Sequence, residues 1–440
     1  VKFMSGKRYS IKVKSWATFL VVVGVLLAAL KTPAVWAAPR AVDDEGTATD
    51  VYLPITLNQQ PLANRIGFGI TGGQVLNDFT NSSQLKAGIY LDWLTRGTPT
   101  RPDGIQYAQM VRVHQKLECG DRWNYDRVTC PYVQPTDQES SYNFWPGEAT
   151  IKTIAQANRG SLWLIGNEIE RKDWLDCGPR DAAGKCIDPK SIGQDEILPE
   201  TYAIAYHQVY NIIKAADPTA QVAIGGVIQA TPLRLEYLTR IWDYYEQKYG
   251  EEMPVDVWNF HSFILPEKLN GGGAEIPTGL DATEGAYSDL SICNTYKPKD
   301  DPTPFSCEIH IDIDVIDEQV RALRQWMKDR GQQEKPLINS EYGALFPNTY
   351  MGIDPADAAR IHNFMLGTFD YFLNTKDCDL GWHADDCRLV QRWVWYSLEN
   401  RYAAVNPYTT LLNPDTGELT EAGQKFRQYA IDHYGDMALP

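Results

Sequence analysis

The chain has 440 residues, 43% of them hydrophobic and 22% charged, with a formal net charge of −16. That hydrophobic fraction excludes a disordered chain, and the length supports one barrel-sized domain or two smaller ones. The acidic balance argues against nucleic acid or an anionic membrane as the main partner, while 13 Trp and 24 Tyr supply flat faces for either a large core or a sugar-binding cleft.

In chain order, the first segment reads as an export signal. Lys2, Lys7, Arg8, Lys12 and Lys14 form a basic stretch without an acidic residue. An apolar run follows from Trp16 to Leu30, then Pro33 and the small-residue segment Ala34-Val35-Trp36-Ala37-Ala38. This is the order of a secretory signal, and about 15 apolar residues is short for a membrane span. The expected divisions are a signal peptide at 1–38, a linker at 39–62 and a single catalytic domain at 63–440. The mature chain is then secreted or extracytoplasmic with no membrane contact, or held at the cell surface if the segment is retained as an anchor.

Eight short apolar runs come next, at 65–70, 87–91, 107–113, 161–166, 221–225, 255–261, 335–340 and 392–397. Continuously apolar, β-branched runs suit parallel strands covered on both faces. Helical spacing recurs at 199–216, 233–249, 315–330 and 355–373, the first ending at Asp217-Pro218. Eight strands with helices between them predict an α/β fold, a (β/α)8 TIM barrel, with a doubly wound sheet as the alternative. A doubly wound sheet wants a Gly-rich phosphate loop after its first strand. Gly67-Phe68-Gly69 begins one that Gly72 and Gly73 do not complete.

Three long loops, 114–149, 169–199 and 262–313, follow the third, fourth and sixth strands. They leave the carboxyl ends, the face where barrel enzymes build their sites. The eight Cys fall into near neighbours: Cys119/Cys130, Cys177/Cys186, Cys293/Cys307 and Cys378/Cys387. Close pairs behind an export signal read as short-loop disulfides holding the long βα loops. No clustered CxxC ligands occur, so neither a metal nor a cofactor is expected.

Two strand ends carry carboxylates. The fourth ends in Asn167-Glu168 and the seventh in Asn339-Ser340-Glu341. Glycosidic hydrolysis needs two carboxyls flanking the scissile bond, one to protonate the leaving oxygen and one to attack or to activate water. The fourth and seventh strands lie on opposite sides of an eight-stranded barrel, so these Glu side chains can converge over its mouth. Trp93 and His114, just past the second and third strands, are candidates to line the cleft, with structural roles the alternative. Trp123, Trp145 and Trp174 fall in loops on the same side, where sugar stacking and loop anchoring are both open.

WLIGNE (163–168) and PLINSEYG (336–343) resemble the catalytic strand ends of the large clan of retaining glycoside hydrolases built on a (β/α)8 barrel (clan A-like). In that clan the acid/base follows an Asn on strand four and the nucleophile ends strand seven. Phe260-His261-Ser262-Phe263 and Trp393-Val394-Trp395-Tyr396 add to the similarity. The resemblance implies Glu168 as acid/base, kept protonated near neutral pH, and Glu341 as nucleophile. It implies Asn167 on the sugar 2-hydroxyl, Trp395 as the sugar-stacking floor and His261 as a polar wall. The implied partner is a β-linked carbohydrate, a neutral one given the chain's acidity, with no nucleic acid.

Two departures stand out. Clan members often carry a Tyr near the sixth strand end that bonds the nucleophile, where this chain has Phe263. An Arg often found at an early strand end has no counterpart here unless Arg112 or Arg96 serves, and Arg112, inside the third strand, reads equally as a member of a barrel ion pair. They keep a second reading open: a non-catalytic carbohydrate-binding or surface protein on the same barrel.

Overall fold

The computed structural model describes residues 63–71, 76–79, 81–134, 141–176, 190–289, 307–400 and 405–440. The expected signal peptide and linker lie outside them, as do Cys177, Cys186, Cys293 and the side chain of Trp174.

Eight parallel strands form the centre. They are β1 (Ala63–Gly69), β2 (Ala87–Leu91), β3 (Gln106–Tyr107 and Gln109–Gln115), β4 (Leu162–Asn167), β5 (Gln221–Gly226), β6 (Trp258–His261), β7 (Leu337–Tyr342) and β8 (Arg392–Trp395). One ladder runs β6-β7-β8-β1-β2 and ends on the first segment of β3; a second runs from the longer segment of β3 through β4 to β5. Single parallel bridges, Ala223 to Val257 and Val227 to Phe260, join β5 to β6. The ring is therefore closed, as a TIM barrel requires.

The strands are apolar throughout because both of their faces are buried. Ile89, Leu91, Met110, Leu164, Ile338 and Val394 belong to a cluster that fills the barrel interior. Their neighbours in sequence, among them Tyr90, Val111, Trp163, Ile165, Trp393 and Trp395, pack outward against the helices.

Six α-helices lie outside the barrel among the described residues. They are α1 (Glu148–Ala157), α2 (Pro199–Ala216), α3 (Pro232–Tyr249), α4 (Ile313–Asp329), α5 (Ala358–Asn374) and α6 (Glu421–Asp432). They follow β3 to β8 in turn. After β1 and β2 the described residues form only 3-10 turns, at Leu76–Asp78, Ser82–Leu85 and Pro102–Gly104. Local chemistry sets the helix ends. Proline opens α2 and α3, where its missing N–H is no loss. Gly250 closes α3 with a left-handed φ of 69°. The Asp312 carboxylate caps α4, and the Thr420 hydroxyl caps α6.

The loop after β3 is less irregular than its composition suggests. Tyr142–Trp145 forms a strand antiparallel to β3, with Trp145 opposite Arg112. Cys119–Cys130 closes the remainder of that loop. Cys378–Cys387 closes a turn between α5 and β8, at the opposite end of the barrel. Cys307 is also disulfide-bonded. Near the turn, Arg65 of β1 is buried and donates to both carboxylate oxygens of Asp385, and to the carbonyls of Gln391 and Ala438.

Candidate active site

The end of β4 is built to turn sharply. Gly166 has φ +95°, and a Cβ there would meet the Ile169 side chain at 2.4 Å. Glu168 itself has φ +47°, unusual for a residue with a side chain. Asp195 fixes this turn. Its carboxylate is buried and accepts from the backbone N–H of Asn167 at 2.8 Å and of Val113 at 3.3 Å, and from Arg112 Nε at 2.7 Å. The ends of β3 and β4 are thereby tied to one carboxylate.

Glu168 projects over the barrel mouth from this turn, and Glu341 from β7. Glu168 Oε2 accepts from Arg171 Nη1 at 2.7 Å. Glu341 Oε2 accepts from the indole Nε1 of Trp93 at 2.9 Å. His261 lies beneath both. Its Nδ1 is 3.4 Å from Glu168 Oε1 and 3.9 Å from Glu341 Oε2, while its Nε2 is 3.2 Å from Ser340 Oγ. One oxygen of each carboxylate and one ring nitrogen of His261 all lie within 4.8 Å of one another. The imidazole sits against Gly226, where a Cβ would come within 2.7 Å of its Nε2. Glycine is needed at the end of β5 to make room for it.

Two carboxyls this close and this dry cannot both carry charge freely. Burial favours the protonated form of Glu168, but Arg171, and His261 after it, overcome that and hold its pKa at about 2. Burial also favours the protonated form of Glu341. The charge of His261 relieves it only in part, the charge of Glu168 adds to it, and the pKa rises to about 7. His261 is raised above its usual value, because the charges of Glu341 and Glu168 outweigh its own burial. The pair thus shares one proton near neutrality, and in this site it rests on Glu341. That corrects the expectation of a protonated Glu168. The cause is Arg171, three residues on, which the strand motif did not bring into view.

A cavity of about 510 Å³ opens above the pair, lined among others by Trp93, Asn167, Arg171, Phe263, Phe346 and Tyr396. Of the residues expected to meet substrate, Asn167, Glu168, Glu341 and Trp93 surround this one space. The buried Oδ1 of Asn167 has no hydrogen-bond partner, which leaves an acceptor there for a ligand hydroxyl. Trp93 also takes a second role: it supplies the N–H on Glu341 that Phe263 cannot.

Three expectations are corrected. Trp395 is fully buried on the outer face of β8, packed against Tyr342, Phe364 and Phe369, with its Nε1 donating to the carbonyl of Thr409. It cannot floor a sugar site. Tyr396, one residue on, faces the cavity and meets Trp93 edge-on at 5.8 Å. Strand alternation carries this signal, because Val394 points inward and Tyr396 shares its face. His114 is 8% exposed, and its ring nitrogens are spent on Asp173 and the carbonyl of Gln115; it lines not this cavity but the depression beside it. His261 is not a wall but a buried bridge. Arg171 is the functional candidate that the sequence reading missed.

Two clusters hold ligand atoms close enough for a cation: Glu168/His261/Glu341 and His114/Asp173/Glu196. Arginine already supplies positive charge in each. Arg171 meets Glu168, Arg122 meets Asp173 and Arg127 meets Glu196.

No protein-family model and no curated protein matches this chain. Among solved structures it is similar to a GH128 (subgroup II) endo-beta-1,3-glucanase from Sorangium cellulosum, at 14% identity over 83% of this chain and 98% of that one, with a TM-score of 0.43. A GH128 (subgroup I) endo-beta-1,3-glucanase from Amycolatopsis mediterranei, in complex with laminarihexaose, matches at 11% identity over 83% and 99%, with a TM-score of 0.42. A glucosidase from Croceicoccus marinus matches at 12% identity over 83% and 67%, with a TM-score of 0.43.

The raised pKa of Glu341 has a sign that can be measured. The folded chain holds this proton more tightly than the unfolded chain, whose value is near 4.5. The resulting stability is complete below that value and is lost as pH rises through about 7. Glu341→Gln removes the loss. The Tm of the variant relative to wild type should therefore rise between about pH 4 and about pH 8. An unchanged difference would contradict the shared-proton description.

Proposed function

We propose that the chain is a secreted glycoside hydrolase that cleaves β-linked glycosidic bonds with retention of configuration. The observation that carries this reading is the approach of Glu168 and Glu341 over the barrel mouth, one oxygen of each within 4.8 Å of the other. Retaining pairs stand roughly 5–5.5 Å apart and inverting pairs roughly 6.5–9.5 Å, the wider gap leaving room for a water. The export reading rests on residues 1–38 and the disulfides.

In the forward step, Glu341 attacks the anomeric carbon and Glu168 protonates the departing oxygen. A glycosyl ester on Glu341 results. Water then attacks the same carbon, Glu168 takes the water's proton, and Glu341 is released. The indole N–H of Trp93 favours the ionised form of Glu341 as the sugar displaces water. Asn167 Oδ1 accepts from a sugar hydroxyl. The proton must first move from Glu341 to Glu168, so the sugar entering between them has to lift Arg171 from Glu168. Arg171 is tethered for this: its Nη2 donates to the carbonyl of Gly273 at 2.8 Å, at the tip of the loop after β6.

That clamp also favours a second reading, a non-catalytic carbohydrate-binding protein on the same barrel, in which Glu168 stays ionised. A panel of aryl β-glycosides and β-linked polysaccharides separates the two. The catalytic reading expects turnover of at least one substrate, with kcat lowered at least about 100-fold by Glu168→Gln and by Glu341→Gln. Equal activity in wild type and both variants would reject the assignment; glycan binding without turnover would favour the second reading.

Arg171 gives an independent check. Its cation favours ionised carboxyls, so Arg171→Gln should move both limbs of the kcat/KM pH profile to higher pH. A lowered rate with unmoved limbs would mean that Arg171 only supports the loop.

A further inference from the structure

Few large apolar side chains are exposed among the described residues, and two of them are neighbouring tryptophans. Trp123 is 46% exposed and Trp145 56%. Both line one shallow depression of about 300 Å³, together with Arg112, Asn143 and Phe144. Arg112 and Gly193 line this depression and the catalytic cavity alike, so the two spaces adjoin. Indole faces left in water beside a cleft are a cost to solubility that a ligand must justify.

The loops that carry them are held by other groups as well, and Arg122 lies over the Trp123 ring at 5.2 Å from its centroid. The Trp123 loop is closed by Cys119–Cys130. Arg122, beside it, donates twice to Asp173 at 3.0 Å and once to the carbonyl of Gln194 at 2.7 Å. Trp145 ends a strand paired with β3, in register with Arg112. Both indoles are thus presented by braced backbone, with little left to order on binding. Between them and the cavity, Arg112 spends only its Nε, on Asp195. Among the described residues its Nη1 and Nη2 donate no hydrogen bond, and the side chain is 26% exposed.

Flat apolar faces with free donors between them suit the C–H faces and hydroxyls of pyranose rings. We infer that Trp123 and Trp145 form a distal sugar-binding subsite, joined to the catalytic cavity through Arg112, and that the substrate is a glycan chain rather than a simple glycoside. This rests on the glycosidase reading and deepens it. A ligand continuous through both spaces must repeat its chemistry along its length, as a polysaccharide does. An open groove of this kind receives internal stretches of a chain as readily as its ends.

The test compares short and long substrates. Disaccharides and hexasaccharides of β-1,3- and β-1,4-linked glucose are offered to wild type, Trp123→Ala, Trp145→Ala, the double variant, and Ile431→Ala as an exposed control on α6. The expected result is a hexasaccharide-to-disaccharide ratio of kcat/KM that falls about tenfold or more in the double variant and is unchanged in Ile431→Ala. An unchanged ratio in the double variant would overturn the inference. If wild type hydrolyses none of these sugars, the glycosidase reading fails for them, and indole fluorescence still decides the subsite. Hexasaccharide binding that weakens about tenfold in the double variant supports it. Binding that is unchanged, or absent in wild type, overturns it.

Discussion

Two glutamates buried side by side are the constraint around which this barrel mouth is arranged. Water would normally screen such charges, and here the two side chains are only 5% and 12% exposed. The protein answers with a cation and a proton instead. Arg171 neutralises Glu168, one proton is kept on Glu341, and His261 spans the gap below with its pKa raised. The arrangement depends on pH, because the proton kept on Glu341 is lost as pH rises through about 7. The left-handed turn at Glu168, the glycine at 226 and the positive φ at Trp93 all serve to place these groups.

A second layer of buried charge holds the first in place. Asp195 ties β3 to β4. Arg234 is fully buried and bonds Glu170 and Glu267, joining the turns after β4, β5 and β6. Arg122 and Arg127 neutralise Asp173 and Glu196 under the loop after β3. Removing one partner from such a pair leaves an uncompensated charge, so these residues cannot drift without the mouth losing its shape. Glu170, Asp173, Asp195, Glu196 and Glu267 are all committed to holding loops.

The fold was legible because burial on both faces leaves the continuous apolar runs of parallel strands, and eight of them close a barrel. Every expected strand overlaps a strand of the barrel, and the four expected helices are present. The strand pair after β3 was missed because Tyr142–Trp145 carries exposed aromatics rather than an apolar face.

At the site, the two glutamates could be read from where the apolar runs stop. What could not be read was which neighbour each would meet. Arg171 reaches Glu168 only because the chain turns through positive φ, and nothing in the spelling Asn-Glu-Ile-Glu-Arg announces that. The resemblance pointed to Trp395, whereas the period of two along β8 puts Tyr396 on the inward face with Val394. Net charge was similarly a coarse guide, since the cleft itself presents Arg112, Arg171 and Lys172.

The central claim is that Glu341 forms a covalent bond to the sugar while Glu168 carries the proton. Incubation with an activated 2-deoxy-2-fluoro-β-glycoside, followed by mass spectrometry of proteolytic fragments, tests it directly. The account predicts one sugar adduct on the peptide containing Glu341. An adduct on Glu168, or turnover with an inverted anomeric product and no adduct, would contradict it.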